Sequence, residues 1–124
     1  MATYLDTNYI VRFLTEDIKV QAQIAKKIIE KDKIYIANIV LAETVYILET
    51  HYKANKNELC DILISLVKQS NISTSSFVHL ALNIYKSENI SFYDSLLVAE
   101  VLNSESQLRS FDKKLLKTYS KYKD

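Results

Sequence analysis

The chain has 124 residues and a formal net charge of +1 at pH 7, with 48% hydrophobic and 25% charged residues. This composition is typical of globular proteins and excludes a disordered or fibrous chain, and the length fits a single core. No apolar run reaches the roughly 18 to 20 residues of a membrane span, and the N-terminus lacks a signal-peptide pattern. We therefore expect one cytoplasmic domain over residues 1–124.

Residue types that are rare or absent exclude several kinds of site. The single cysteine, Cys60, excludes an internal disulfide and a cysteine-built zinc site, and the two histidines, His51 and His79, lie far apart in the sequence. The chain has no glycine, which phosphate-binding loops, dinucleotide-binding fingerprints and hydrolase nucleophile elbows require. Any metal ion would be held by oxygen. In place of glycine we expect asparagines at helix ends, namely Asn71, Asn89 and Asn103.

Short strands alternate with longer helices along the chain. In the first half of the chain the apolar pattern predicts, in order, a strand at Ala2–Leu5, helices at Asn8–Leu14 and from Ile18 to Ile29, a strand at Ile34–Ile36 and a helix at Ile39–Tyr52. In the second half it predicts a helix from Leu59 to Val67, a strand near Ile72, helices at Ser75–Ser87 and from Phe92 to Leu102, a strand at Gln107–Phe111 and a helix at Lys113–Tyr119. Such alternation predicts an α/β fold with three α/β/α layers and a short central parallel sheet. Ligand sites in these sheets lie beyond the carboxyl ends of the strands.

Three aspartates stand where predicted helices begin. Asp6 directly follows the first predicted strand, and Asp112 follows the fourth. If these strands are parallel neighbours, both carboxylates reach one edge of the sheet, although each also fits the N-cap of the next helix. Asp94 lies three residues after Ser91 in a capping-box pattern, which places its carboxylate in a first helical turn. Capping and a role in a site do not exclude each other.

Glu43 belongs to the helix predicted at Ile39–Tyr52, which is apolar on nearly every side and is therefore expected to be buried. The residues three and four positions from it are all apolar: Ile39, Val40, Tyr46 and Ile47. A buried carboxylate costs several kcal/mol unless something compensates it. The compensating group could be a lysine, but we favour a metal ion or a water molecule held by one.

Four acids gathered in one place suit a hard cation. Mg²⁺ and Mn²⁺ bind carboxylate oxygens, activate water and stabilise the charge that develops in phosphodiester hydrolysis. The set consists of Asp6, Glu43, Asp94 and Asp112.

The motifs that carry these acids resemble the PIN-domain family, and within it the VapC-type toxins of toxin–antitoxin pairs. The motifs are Tyr4-Leu5-Asp6-Thr7-Asn8, Leu41-Ala42-Glu43, Phe92-Tyr93-Asp94-Ser95-Leu96-Leu97-Val98-Ala99 and Ser110-Phe111-Asp112. Each is short, but their order and spacing cover nearly the whole chain. The family often carries proline or glycine near the second strand and in the loops, and this chain has neither.

The resemblance implies an endoribonuclease that uses Mg²⁺ or Mn²⁺. Asp6 and Asp94 would be the principal metal ligands, Glu43 a ligand or an orienter of the attacking water, and Asp112 a further ligand or second-site anchor. The hydrogen-bonding support would come from Thr7, Asn8 and Ser110. Arg12 could contact a phosphate or a partner, with a surface salt bridge as the alternative.

The resemblance also implies a homodimer and inhibition by a small antitoxin protein. One rival class, the haloacid-dehalogenase-like phosphatases, needs a second aspartate two residues after the first, where this chain has Asn8. A second rival is a catalytically silent PIN-like module that binds RNA or protein, against which the presence of all four acids argues. We expect no direct role for His51, His79 or Cys60.

Overall fold

Seven helices and three short strands form residues 1–123, the part of the chain that the computed structural model describes. In chain order they are β1 (Thr3–Tyr4), α1 (Thr7–Thr15), α2 (Lys19–Lys31), β2 (Ile34–Tyr35), α3 (Asn38–Thr50), α4 (Lys56–Val67), β3 (Ile72–Ser73), α5 (Val78–Ser87), α6 (Phe92–Asn103) and α7 (Lys113–Lys123). Their contacts divide the chain into a first unit, residues 1–75, and a second unit, which begins at Ser76. None of the described helices is both long enough and apolar enough to cross a membrane.

The first unit contains a parallel sheet with the strand order β1-β2-β3. Thr3 and Tyr4 pair with Ile34 and Tyr35, and β2 pairs in turn with β3. Two helices connect each pair of successive strands, as parallel pairing requires a long crossover. The predicted α/β class with a short parallel sheet is therefore confirmed.

Apolar spacing explains how the helices of the first unit pack. Helix α1 contacts both α2 and α3, and its Ile10 and Val11 are buried. Helix α2 contributes residues at the predicted three- and four-residue spacing. These buried residues are Ala22, Ala25 and Ile29. The buried side chains Ile34 and Ile36 of β2 and the residue after it complete this part of the core.

The second unit consists of α5, α6 and α7, with α6 in contact with both of the others. Tyr85 of α5 packs its ring edge-to-face against Phe92 of α6, with 5.5 Å between the ring centroids. Both side chains are buried, an arrangement that adds to the apolar burial itself. Tyr119 of α7 donates its hydroxyl to the carbonyl of Ser106 at 3.0 Å, which fixes the loop before α7.

The prediction of a fourth strand at Gln107–Phe111 is wrong. Residues 107–111 form no strand, and within the described second unit no backbone hydrogen bond pairs them with a neighbour. Gln107, Arg109 and Phe111 are exposed and Leu108 is half-buried. A segment of five residues with two apolar side chains, Leu108 and Phe111, forms a strand only where a neighbouring strand pairs with it, and the sequence of the segment does not show whether such a neighbour exists.

The prediction that asparagines take the place of glycine at helix ends is also wrong. In the described residues, the left-handed backbone region is occupied by Glu16, Lys53 and Glu105, with φ between 50° and 55°. Glu16 ends α1 by donating its N–H to the carbonyl of Arg12. Asn71 acts through its side chain instead, because its Nδ2 donates to two carbonyls at the end of α2.

Candidate active site

Asp6 caps helix α1 and remains exposed. The backbone N–H of Tyr9 donates to Oδ1 of Asp6 at 3.1 Å, so the capping interpretation is confirmed. In the described residues Oδ2 makes no hydrogen bond, and an N-cap therefore leaves one carboxylate oxygen available. Thr7 is the first residue of α1 and is half-buried, whereas Asn8 is exposed. Together with Asn8, Tyr9 and Arg12, Asp6 lines a cavity of about 300 Å³ in the first unit.

Asp112 caps helix α7 in the same manner. Its Oδ1 accepts the backbone N–H groups of Lys114 and Leu115 at 3.0 and 3.1 Å. The hydroxyl of Ser110 accepts the N–H of Asp112 at 2.9 Å and so fixes the backbone before the cap. Oδ2 of Asp112 again has no partner among residues 1–123. One oxygen holds the helix end while the other is open to a ligand.

Asp94 lies in the first turn of α6, behind the N-cap Ser91. The hydroxyl of Ser91 accepts the N–H of Asp94 at 3.1 Å. A full capping box also needs the Asp94 carboxylate to accept the N–H of Ser91, and the described structure contains no such bond. The Asp94 carboxylate is half-buried and not used in capping. It lies in the first turn, near the positive end of the α6 dipole.

Glu43 is exposed, so the predicted burial of this carboxylate is wrong. Helix α3 buries one side, with Leu41 and Val45 at 0% exposure, and leaves another open, where Ile39 is 60% and Tyr46 is 55% exposed. A helix that is apolar on nearly every side does not reveal which face packs. An exposed carboxylate needs no compensating charge, so its environment no longer argues for a metal ion.

Each unit contributes two of the four acids: Asp6 and Glu43 belong to the first, and Asp94 and Asp112 to the second. In the described chain no lysine or arginine forms an ion pair with any of them. Within either unit, over residues 1–123, no three His, Cys, Asp or Glu side chains are grouped to hold a metal ion.

Arg12 forms an ion pair with Asp17, with 3.4 Å between Nη1 and Oδ1. The surface salt bridge given as an alternative for Arg12 is therefore present. The same guanidinium also contacts Gln21 and Tyr52. Sequence analysis missed Tyr52, since no local pattern connects Asp17 with a tyrosine 35 residues later.

The sequence model of the PIN domain matches residues 3–121, across both units and all four acids. The chain belongs to the PIN domain family. PIN domains are generally nucleases, which are hydrolases, and they typically bind divalent metal ions. Comparisons with curated proteins and with solved structures found no match.

The residues present suit such an ion. Exposed or half-buried carboxylates at Asp6, Glu43, Asp94 and Asp112 are hard oxygen donors. In Asp6 and Asp112, Oδ1 caps a helix, while Oδ2 has no hydrogen-bond partner among residues 1–123. Carboxylate oxygen is the type of ligand that Mg²⁺ and Mn²⁺ prefer, whereas zinc prefers nitrogen and sulfur.

Proposed function

We propose that this PIN domain is a Mg²⁺- or Mn²⁺-dependent endoribonuclease that hydrolyses RNA phosphodiester bonds. The observation that carries the proposal is the family match over residues 3–121, which includes all four acids. The chain's own chemistry supports it, since none of the four carboxylates is neutralised by an ion pair within the described residues.

Each acid has a distinct proposed task. Asp6 and Asp94 are the principal metal ligands, Glu43 binds the ion or orients the attacking water, and Asp112 is a further ligand or anchors a second ion. A bound Mg²⁺ or Mn²⁺ supplies an activated water molecule and neutralises charge on the phosphoryl oxygens. The hydroxyl of Ser110 supports Asp112 by accepting the backbone N–H of Asp112.

Helix ends contribute to this site. Asp6, Asp94 and Asp112 lie at the N-terminal ends of α1, α6 and α7. Helix N-terminal ends carry a partial positive charge and are favourable places for acidic side chains. Thr7 and Asn8 are proposed to add hydrogen bonds around Asp6.

The decisive experiment measures cleavage of single-stranded RNA by the purified protein with Mg²⁺, with Mn²⁺ and with chelator. Asp6→Asn and Asp94→Asn should each lower kcat/KM roughly hundredfold or more, the scale expected when one charge contact to the transition state is lost. Asparagine is also a good N-cap, so Asp6→Asn removes the anion and preserves the helix end. Glu100→Gln, an exposed acid on the same helix as Asp94, is the matched control and should cleave normally.

Two outcomes would contradict this proposal in different ways. Asparagine variants that cleave as fast as the parent would refute the metal site. A parent protein that binds RNA without cleaving it, and whose melting temperature does not rise with millimolar Mn²⁺, would support the catalytically silent module instead.

We further propose that the protein is the cytoplasmic toxin of a type II toxin–antitoxin pair, a homodimer inhibited by a small antitoxin. Its support is the likeness of the four acid-bearing motifs to VapC-type toxins. Induced expression of the parent should arrest the growth of a bacterial host, and expression of Asp94→Asn should not. Normal growth with abundant, folded parent protein would rule out the toxin role.

A further inference from the structure

The guanidinium of Arg12 is held by three contacts from separate parts of the first unit. Nε donates to Oε1 of Gln21 on α2 at 3.0 Å. Nη1 lies 3.4 Å from Oδ1 of Asp17 and 3.4 Å from the hydroxyl of Tyr52, which follows α3. A side chain with this many rotatable bonds is normally mobile at a surface, and these contacts fix it in one place.

Asp17 is itself firmly held. Its Oδ2 accepts the hydroxyl of Tyr52 at 2.5 Å, and its Oδ1 accepts the hydroxyl of Thr15 at 2.8 Å. These two hydrogen bonds, followed by the nearby Arg12 charge, lower the pKa of Asp17 below its ordinary value. The carboxylate therefore remains an anion at neutral pH and keeps Arg12 in position.

These contacts leave part of the guanidinium unused. Arginine has five N–H donors, and in the described structure the two on Nη2 of Arg12 have no partner. The side chain is 23% exposed and lines the same 300 Å³ cavity as Asp6 and Asn8. A fixed cation with spare donors beside a cavity is a suitable receptor for an anion, because the entropy of ordering the side chain is spent before the ligand arrives.

We propose that this cavity is a subsite for a backbone phosphate of RNA, bound by Arg12, with Asp17, Gln21 and Tyr52 as positioning residues. The inference rests on the proposed function, in which the substrate is RNA and Asp6 carries a cation. Phosphate is the anion that suits both groups, since it can be shared between a guanidinium and a divalent ion. The free carboxylate of Asp6 would repel a phosphate, so a divalent ion bound there would strengthen the binding, whereas the contact with Arg12 does not require that ion.

The competing explanation is that the contacts around Arg12 only tie α1, α2 and the end of α3 together. Both explanations expect Arg12 variants to be less stable. Only the phosphate subsite expects a change in the salt dependence of RNA binding, because each lost phosphate contact reduces the number of counterions released.

The test uses the full chain with Asp94→Asn to prevent cleavage, Mn²⁺, and a fluorescently labelled single-stranded RNA of mixed sequence, over a series of KCl concentrations. Adding Arg12→Ala should raise Kd at least about tenfold and reduce the slope of log K against log salt by about 0.7. Arg12→Lys should restore part of the affinity, because lysine keeps the charge but not the fork of donors. Lys27→Ala, which removes an exposed charge from α2, is the matched control and should change Kd by less than about twofold.

The positioning residues are tested by cleavage kinetics in the otherwise unmodified protein. Tyr52→Phe should raise KM several-fold and leave kcat close to the parent value, since it releases Arg12 without touching the four acids. An Arg12→Ala protein that melts earlier but keeps the parent's Kd and salt slope would overturn the subsite. If the parent binds RNA without cleaving it and Arg12→Ala still reduces the slope, the nuclease proposal fails and the subsite stands.

Discussion

Both units of the molecule contain a cluster of a carboxylate, a cation and a tyrosine. The first cluster is Asp17, Arg12 and Tyr52, and the second cluster is Glu88, Lys121 and Tyr122. In both, the carboxylate accepts the tyrosine hydroxyl, at 2.5 Å in the first and 2.7 Å in the second. The chemistry is nearly the same, so the surroundings decide what each cluster does.

The two clusters differ in which charged side chain is less exposed, the cation or the carboxylate. In the first, the arginine side chain is 23% exposed and the carboxylate 38%. In the second, the carboxylate is 16% exposed and the lysine 64%. The sheltered acid of the second cluster, Glu88, ends α5 and receives hydrogen bonds from two residues of α7. The second cluster is thus a tether between helices, whereas the first presents a cation beside a cavity.

The largest expected difference comes from removing the carboxylate of the second cluster. Glu88→Ala leaves the partly buried hydroxyl of Tyr122 without its acceptor, which should lower the free energy of unfolding by about 1–3 kcal/mol. RNA affinity should stay at the parent value. Urea unfolding together with RNA binding measures both quantities.

A milder variant checks the origin of that loss. Tyr122→Phe removes one hydroxyl and should cost only about 1 kcal/mol, while Glu100→Ala, an exposed acid of the second unit, should cost less still. If Glu88→Ala weakened RNA binding as much as Arg12→Ala does, the division into a tether and a binding cluster would be wrong.

A smaller effect should separate the clusters by pH. Asp17 has a pKa below 3.8, chiefly because Tyr52 donates a hydrogen bond to it, so its stabilisation is present above that value and disappears as the pH falls through the lowered pKa. In the second cluster, the hydrogen bond to Glu88 raises the pKa of Lys121, and burial raises that of Tyr122. That stabilisation is present below their ordinary values of 10.5 and 10.0 and disappears as the pH rises through the raised ones.

Melting temperatures across the pH range test this sign difference. Asp17→Asn should flatten the acidic side of the profile and leave the alkaline side unchanged. Lys121→Ala should flatten only the alkaline side. A profile in which both variants change the same side would show that the two clusters do not titrate as their contacts imply.

Much of the fold could be predicted from the sequence because the spacing of apolar residues within one segment is enough to indicate a helix. All seven observed helices and the three observed strands correspond to predicted ones, since apolar residues three and four apart mark a buried face whatever it packs against. The prediction of a strand at 107–111 was wrong because a strand forms only by pairing with a neighbouring strand. The predicted burial of Glu43 was wrong for a related reason. The sequence shows that α3 is apolar, but only the packing of the folded chain decides which face of the helix is covered.

Less of the candidate site than of the fold could be predicted from the sequence. The caps at Asp6 and Asp112 were predictable, because each acid stands directly before a helix. The incomplete capping box at Asp94 was not, since the same residues fit both a closed box and an open carboxylate. The partners of Arg12 come from positions up to 40 residues away, and only the folded chain brings them together.

The left-handed residues Glu16, Lys53 and Glu105 have a consequence for engineering. Each holds a Cβ atom in a region where it crowds the backbone, at a cost of about 1–2 kcal/mol. Glycine would remove this crowding but would add freedom to the unfolded chain, which offsets part of the gain. A chain with no glycine therefore retains three places where its stability can be raised without altering the buried core or the four proposed site acids. It can be made more tolerant of heat and of damaging substitutions before its chemistry is dissected.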